Sequence, residues 1–279
     1  MNYFLPGLYI VSTPIGNLED ITLRALNVLK KSDQILCEDT RRSIKLLNHY
    51  GIKKKLVSNH KFNEKKNIDS VINGIKDGKL ISVISDAGTP ILSDPGLILL
   101  KECIKKDIKI FPIPGVSAIT TAMSVSGFTD QYFFYGFLPK KKSETEKICD
   151  GLQEYKYNIV FFIPALKINF YINIFKKFFI DRNILIAREM TKIHETFYRY
   201  NLEKIEKFKE KIKGEITVVL SHKISNKKSK LILNSEKLNA EISKYLKRYT
   251  LKDVVKLISE KNDLPKNKVY ELCLRIKKK

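Results

Sequence analysis

Short apolar runs alternate with stretches of helical spacing along the first half of the chain. Gly7–Thr13 (GLYIVST) predicts a strand, and Thr22–Lys30 then sets Leu23, Leu26 and Leu29 on one helical face. The alternation continues through strands at Gln34–Cys37, Leu56–Ser58, Leu80–Ile84 and Lys109–Pro112, with helices at Arg42–Tyr50, Lys66–Asp77 and Ile98–Lys105 between them. Strands separated by helices predict an α/β layer whose ligand loops lie at the strand ends.

Gly127 and the aromatic stretch Gln131–Lys142 (QYFFYGFLPKKK) mark a change of character, which sets a domain junction near residues 120–130. Beyond it the pattern predicts helices at Glu144–Tyr155, Ile168–Phe178 and Leu202–Phe208. Strands are expected at Asn158–Ile163, Asn183–Arg188, Tyr198–Tyr200 and Gly214–Ser221. A lysine- and asparagine-rich gap, Asn226–Lys230, precedes a last helical region in which Leu251, Val254, Val255 and Ile258 share a face. The expected organisation is an α/β domain over 1–123, a second over 124–235 and a helical region over 236–279. The aromatic positions Tyr132, Phe133, Phe134, Tyr135 and Phe137 read as core or subunit packing rather than as base-stacking platforms.

Three strand ends carry compact Pro/Gly loops: Ser12–Asn17 (STPIGN), Ser85–Gly96 (SDAGTPILSDPG) and Pro112–Ala118 (PIPGVSA). Gly88 and Gly96 let the backbone approach a ligand or take unusual dihedrals, and Pro90 and Pro95 fix its shape. Thr89, Ser93 and Asp94 add short polar groups that lose little entropy when ordered. Each loop alone reads as a tight turn; together they form one ordered rim around a ligand cleft. No GxGxxG follows the first strand and no GxxxxGK[ST] is present, so neither a dinucleotide fingerprint nor a P-loop accounts for it.

Composition narrows the partners. The formal net charge of +22 favours encounter with nucleic acid, although lysine is abundant throughout and only eight of the 52 basic residues are arginine. The rare arginines Arg24, Arg41, Arg42 and Arg188 are the informative ones, because the guanidinium fork does what lysine cannot. The four cysteines, Cys37, Cys103, Cys149 and Cys273, are scattered singly, which argues against structural zinc and a disulfide framework. The longest uncharged run, Ile110–Thr129, holds Pro112, Pro114, Gly115 and Gly127 and reads as strand, loop and helix rather than a membrane span. The N-terminus lacks a basic leader and cleavage signal, and an intracellular, cytoplasmic protein is expected.

The collinear segments TPIGNLEDITLRAL, CEDTRRS, SDAGTPILSDPG, PIPGVSAI, YGFLP, AREMTKIHE and GEITVVL resemble the bacterial 16S ribosomal RNA cytidine 2′-O-methyltransferase family, over about residues 7–275. That family lies within the tetrapyrrole methylase-like superfamily. The resemblance implies a two-domain α/β fold with a small C-terminal helical extension and a homodimer. It implies S-adenosyl-L-methionine as cofactor and 16S rRNA of the small ribosomal subunit as partner, with no membrane and no metal. Carried onto this chain, it implies a donor site built from Pro14, Gly88, Thr89, Pro90 and Ile91, with Ser117 and Ala118. Phe162 and Ala187 would face them from the second domain. One segment departs: where relatives have an aromatic residue followed by Glu, Ser, Pro, His and Arg, this chain has Phe162-Ile163-Pro164-Ala165-Leu166-Lys167.

Methyl transfer to a ribose hydroxyl needs alignment above all, and a base helps where one is placed. The acidic candidates are Glu38, Asp39, Glu189 and Glu195. Asp39 or Thr40 also suits a helix N-cap, and Arg41 and Arg42 suit RNA phosphate or the orienting of carboxylates. Glu189 and Lys192 are three apart, and Arg188 and Lys192 read as substrate-positioning groups; His194 has no metal partner at ligand spacing. The expected catalytic set is Glu38, Arg41, Arg188, Glu189 and Lys192. Two rival readings stay open: a tetrapyrrole methylase with the same donor cleft, and a non-catalytic ribosome-assembly factor, which the altered Phe162–Lys167 segment favours.

Overall fold

The computed structural model describes residues 4–223, 238–239, 241–246, 248–262 and 266–277. It divides into two compact units, Met1–Lys223 and Ile224–Lys279.

The first unit opens with strands β1 (Gly7–Val11), β2 (Gln34–Cys37), β3 (Lys55–Ser58), β4 (Leu80–Ile84) and β5 (Ile110–Ile113). They form one parallel sheet in the order β3-β2-β4-β1-β5. The central strand β4 is buried at every position, as a parallel strand covered on both faces must be. Helices α1 (Leu23–Lys31), α2 (Thr40–His49), α3 (Glu64–Lys76) and α4 (Leu97–Lys105) supply the covering layers. Helix α1 starts where the Thr22 hydroxyl accepts the Ala25 N–H at 3.0 Å, and α2 where Asp39 accepts the Arg41 N–H at 2.9 Å.

Helix α5 (Ala118–Ser124) leads to a second sheet, β6 (Tyr132–Phe137), β7 (Asn158–Pro164), β8 (Asn183–Arg188), β9 (Thr196–Asn201) and β10 (Glu215–Leu220), ordered β6-β7-β10-β8-β9. Only the β6–β7 pair is parallel. One face buries α6 (Lys142–Leu152) and α7 (Ile168–Phe178) around Phe161, Tyr171 and Phe175. The other face, with Val160, Leu185, Ala187 and Val219, packs against Ile15, Ile119 and Ala122. The rim loops of the first sheet therefore lie on the free face of the second.

The expected helix at Leu202–Phe208 does not form; the segment makes a single turn and then runs irregularly. Asn169 takes the backbone away from a helical ladder, accepting the Phe208 N–H and donating to the Phe208 carbonyl, both at 2.9 Å. Leu202 and Ile205 are buried as core anchors instead. The aromatic run in β6 is mostly packing: Phe133 and Tyr135 cover one core and Phe134 the other.

The second unit contains helices Leu251–Asn262 and Lys266–Lys277, with Val254, Ile258, Val269 and Cys273 buried together. Asn226–Lys230 lies outside the described residues. Among the described residues no helix is long and apolar enough to cross a membrane, and all four cysteines are buried and free.

Candidate active site

The three Pro/Gly loops are joined to one another. Thr13 and Gly88 exchange backbone hydrogen bonds of 2.9 and 3.0 Å, tying the loop after β1 to the loop after β4. The Ser12 hydroxyl donates to Thr89 Oγ1 at 3.3 Å, and Thr89 in turn donates to the Val116 carbonyl at 3.2 Å. A Cβ on Gly115 would stand 2.8 Å from Ser12 Cβ, so only glycine lets these two loops close. Ile91 and Ser93 hold left-handed backbone, with φ of 75° and 76°. For a β-branched residue that is a strained conformation, of the kind that persists where the surroundings over-determine it.

Between this rim and the second sheet lies a cleft of about 480 Å³. Its apolar wall is Ile15, Ala118, Phe162, Met190 and Ile216, and its hydroxyls come from Thr89, Ser117 and Thr217. A third group is charged: Glu38, Asp86, Asp94 and Arg42. A carboxylate cluster inside a chain of net charge +22 is a local reversal of sign.

The carboxylates differ in their partners. Asp86 accepts the Asp39 N–H at 3.2 Å and pairs with Arg42 at 3.4 Å. Burial, then the charge of Asp86, raises the Glu38 carboxyl above its usual range. Asp94 is pushed up to about 6 by burial and then by the Glu38 charge.

Of the residues expected at the donor site, Gly88, Thr89, Ser117, Ala118 and Phe162 line this cleft, and so does Glu38 from the catalytic set. Pro14 and Pro90 are buried away from its lining, and Ile91 packs onto Gly96. Ala187 is buried in the sheet core, paired in register with Thr217, which does face the cleft. Arg41 points to solvent and pairs with Asp39 at 2.7 Å; its neighbour Arg42 is the one in the cleft lining. Arg188 is held by the Lys213 carbonyl at 2.8 Å and the His194 carbonyl at 3.3 Å.

Glu189 and Lys192 do meet, at 3.1 Å, and Lys192 also pairs with Glu215 at 2.9 Å. Burial works against the Glu189 charge, but the Glu215 N–H and Lys192 outweigh it and keep this carboxyl below its usual range. The group braces the loop after β8 rather than facing the cleft, except for Glu215, which lines it. Glu195 accepts the Thr191 N–H at 2.7 Å and so serves the same loop. Thr191 Oγ1 also accepts the Asn17 N–H at 3.0 Å, joining this loop to the first rim.

Arg42, read from the sequence as a phosphate or carboxylate-orienting group but left out of the expected catalytic set, lines the cleft, as do Asp86, Met190, Gly214, Glu215 and Phe137, which sequence reasoning did not single out. A signal existed for Asp86, which shares with Asp94 a loop directly after a buried strand. None existed for Phe137. A β-bulge between Phe134 and Gly136, with Gly136 at φ 92°, carries Phe137 to the Phe162 side, ring centroids 5.2 Å apart.

Residues 7–206 match the tetrapyrrole (corrin/porphyrin) methylase family. Ribosomal RNA small subunit methyltransferase I of Thermotoga maritima is 46% identical over 219 residues, covering 77% of this chain and 98% of that protein. The protein of the same name from Buchnera aphidicola is 40% identical over 282 residues and covers 99% of both chains. The chain belongs to the ribosomal RNA small subunit methyltransferase I family. That family sits within the tetrapyrrole methylases, and the fold agrees. Uroporphyrin-III C-methyltransferase from Thermus thermophilus superposes with a TM-score of 0.56 at 15% identity, over 77% of this chain and 94% of that one. In family terms, the segment Phe162–Lys167 that departs from the expected pattern contributes Phe162, Ile163 and Pro164 to the cleft wall, while Leu166 points outward.

Proposed function

We propose that this chain transfers the methyl group of S-adenosylmethionine to the 2′-hydroxyl of a cytidine in 16S ribosomal RNA, within the small ribosomal subunit. The observation that carries the reading is the cleft closed by three joined strand-end loops in a chain of this family. The lining fits the donor's chemistry: a molecule with a flat aromatic base, whose faces suit apolar walls, and a net positive charge, which suits a cluster of carboxylates. When bound, the donor supplies an electrophilic methyl on a sulfonium. Thr89, Ser117 and the backbone around Gly88 would hold it, and Phe162 and Met190 would close the apolar side.

Arg42, 64% exposed at its side chain, is the cation suited to a phosphate entering the cleft. The net charge of +22 would speed encounter with the ribosomal subunit. We include in this reading a homodimer acting in the cytoplasm. The rival assembly-factor reading rests on the missing acidic and imidazole groups of Phe162–Lys167, yet the cleft retains Glu38, Asp86 and Asp94.

Labelled donor incubated with unmodified small subunits, naked 16S RNA and a tetrapyrrole tests the substrate. Label in the small subunit alone is the expected result. Label in the tetrapyrrole, or donor binding without transfer to any acceptor, contradicts the reading.

A further inference from the structure

Resting on that reading, we propose that Phe137 is the platform on which the base of the target nucleotide stacks, with Leu92 beside it at the mouth of the cleft. Within β6, Phe133 and Tyr135 cover one core and Phe134 the other, but Phe137 belongs to neither and is 61% exposed. The bulge at Gly136 is the reason. Regular alternation would put residue 137 on the face of Phe133 and Tyr135, against α6 and α7. With the bulge, Phe137 pairs in register with Phe162 and lines the cleft instead.

The strand end that presents this ring is pinned. Leu138 is buried, and the Pro139 carbonyl accepts the Thr145 hydroxyl at 2.8 Å and the Tyr171 hydroxyl at 3.1 Å. A Cβ on Gly136 would stand 3.1 Å from Ser93 Oγ, so the bulge lies against the loop after β4. That contact brings Leu92, 50% exposed and also in the cleft lining, to the same lip. Phe137 meets Phe162 at an interplanar angle of 58°, which leaves much of its ring open to solvent. An exposed ring and an exposed leucine on fixed backbone, beside a ligand cleft, are apolar surface organised in advance for a ligand.

The chemistry of the acceptor says which ligand. A cleft of about 480 Å³ is of the size that one small molecule fills, and in this reading the donor takes it. The more enclosed Phe162 and Met190 are the apolar groups left to the donor. The acceptor therefore enters at the mouth. Its base hangs from the ribose carbon next to the one that bears the attacking hydroxyl, so a hydroxyl brought to the methyl group carries its base to the rim. A nucleotide placed there has given up the stacking of its neighbours, and an aromatic side chain at the rim replaces it. The exposed guanidinium of Arg42, in the same lining, supplies the charge that a flanking phosphate calls for. Stacking tolerates any base, so Phe137 sets the position of the nucleotide and leaves the choice of cytidine to other groups.

Phe137→Ala, Phe137→Leu and Phe137→Trp are compared with the unaltered chain in methyl transfer to small subunits, with kcat and KM determined separately. Donor affinity is followed by calorimetry and oligomeric state by sedimentation. Phe137→Ala should lower kcat/KM for small subunits by roughly 10- to 100-fold, with donor affinity and oligomeric state unchanged. Phe137→Leu keeps apolar bulk without a flat face and should lose as much; Phe137→Trp restores the face and should recover most of the loss. The inference is overturned if Phe137→Ala transfers as well as the unaltered chain, or if Phe137→Leu recovers transfer as fully as Phe137→Trp. A donor affinity that falls in step with the rate would assign the ring to the donor, and a changed oligomeric state would make it a contact between copies; either result overturns the inference. If the unaltered chain binds donor but labels no small subunit, the substrate reading itself has failed, and the role of Phe137 falls with it.

Discussion

Thr13 and Gly88 exchange both backbone hydrogen bonds, at 2.9 and 3.0 Å, and so fix the relative position of two loops that no regular ladder joins. Gly88 does this at a φ of 77°, with the site of a Cβ 3.3 Å from Ile15 Cγ2. Gly88→Ala is therefore expected to cost roughly 1–2 kcal/mol in left-handed strain. A comparable loss in donor affinity, about tenfold, should follow by calorimetry, because the same residue lines the cleft.

Gly214 stands beside the brace of the loop after β8. At its φ of 100°, a Cβ would fall 2.7 Å from Glu189 Cγ. Gly214→Ala should displace Glu189 from Lys192 and from the Glu215 N–H. The expected outcome is a chain that still folds, by its circular dichroism, with methyl transfer reduced roughly tenfold or more through loss of alignment. An unchanged rate would show that the Glu189–Lys192 brace has no part in the site.

The raised Asp94 carboxyl makes a stability statement as well. Its folded value lies above the unfolded one of 3.8, so the native state holds the proton more tightly between about pH 4 and 6, and stability falls as pH rises through that window. Asp94→Asn should therefore raise the melting temperature at pH 7.5, by the equivalent of about 1 kcal/mol once solvent screening is allowed for. The gain should disappear below pH 4. A site that gains stability when its charged group is removed is one where function opposes stability.

Arg182 is fully buried and donates to the carbonyls of Gln153, Tyr155, Tyr157 and Ser221. It gathers the turn between α6 and β7 onto the end of β10. Arg182→Met leaves those carbonyls without their donor and should cost about 3 kcal/mol or more in urea unfolding. Donor affinity of the remaining folded fraction should be unchanged, since the residue is remote from the cleft lining.

Much of the fold was readable because its signals are local. The strands Gln34–Cys37, Leu80–Ile84 and Asn183–Arg188 and the helix Ile168–Phe178 occur where the apolar periodicity puts them. Leu202–Phe208 failed because the partner that dissolves its helix, Asn169, is distant in sequence. The rim of the cleft was legible as three Pro/Gly loops, yet which of their side chains face inward was not. Pro14, Pro90 and Ile91 shape the rim from outside the lining, whereas Asp86 and Asp94 point their chemistry into it. The substitution of Arg42 for Arg41 has the same origin: one residue of helical rotation at the start of α2 decides which guanidinium turns inward. A bulge at Gly136 is equally hidden, because it shifts register without changing the alternation that sequence displays.

The most direct test of the account is where the methyl group ends up. Small subunits lacking the modification are labelled by this chain from S-adenosylmethionine, and the extracted 16S RNA is hydrolysed in alkali, which cannot cut next to a 2′-O-methylated ribose. The account predicts label in an alkali-resistant dinucleotide whose methylated residue is a cytidine. Label released as a mononucleotide bearing a base methyl would contradict it, as would an unlabelled RNA from a chain that binds the donor.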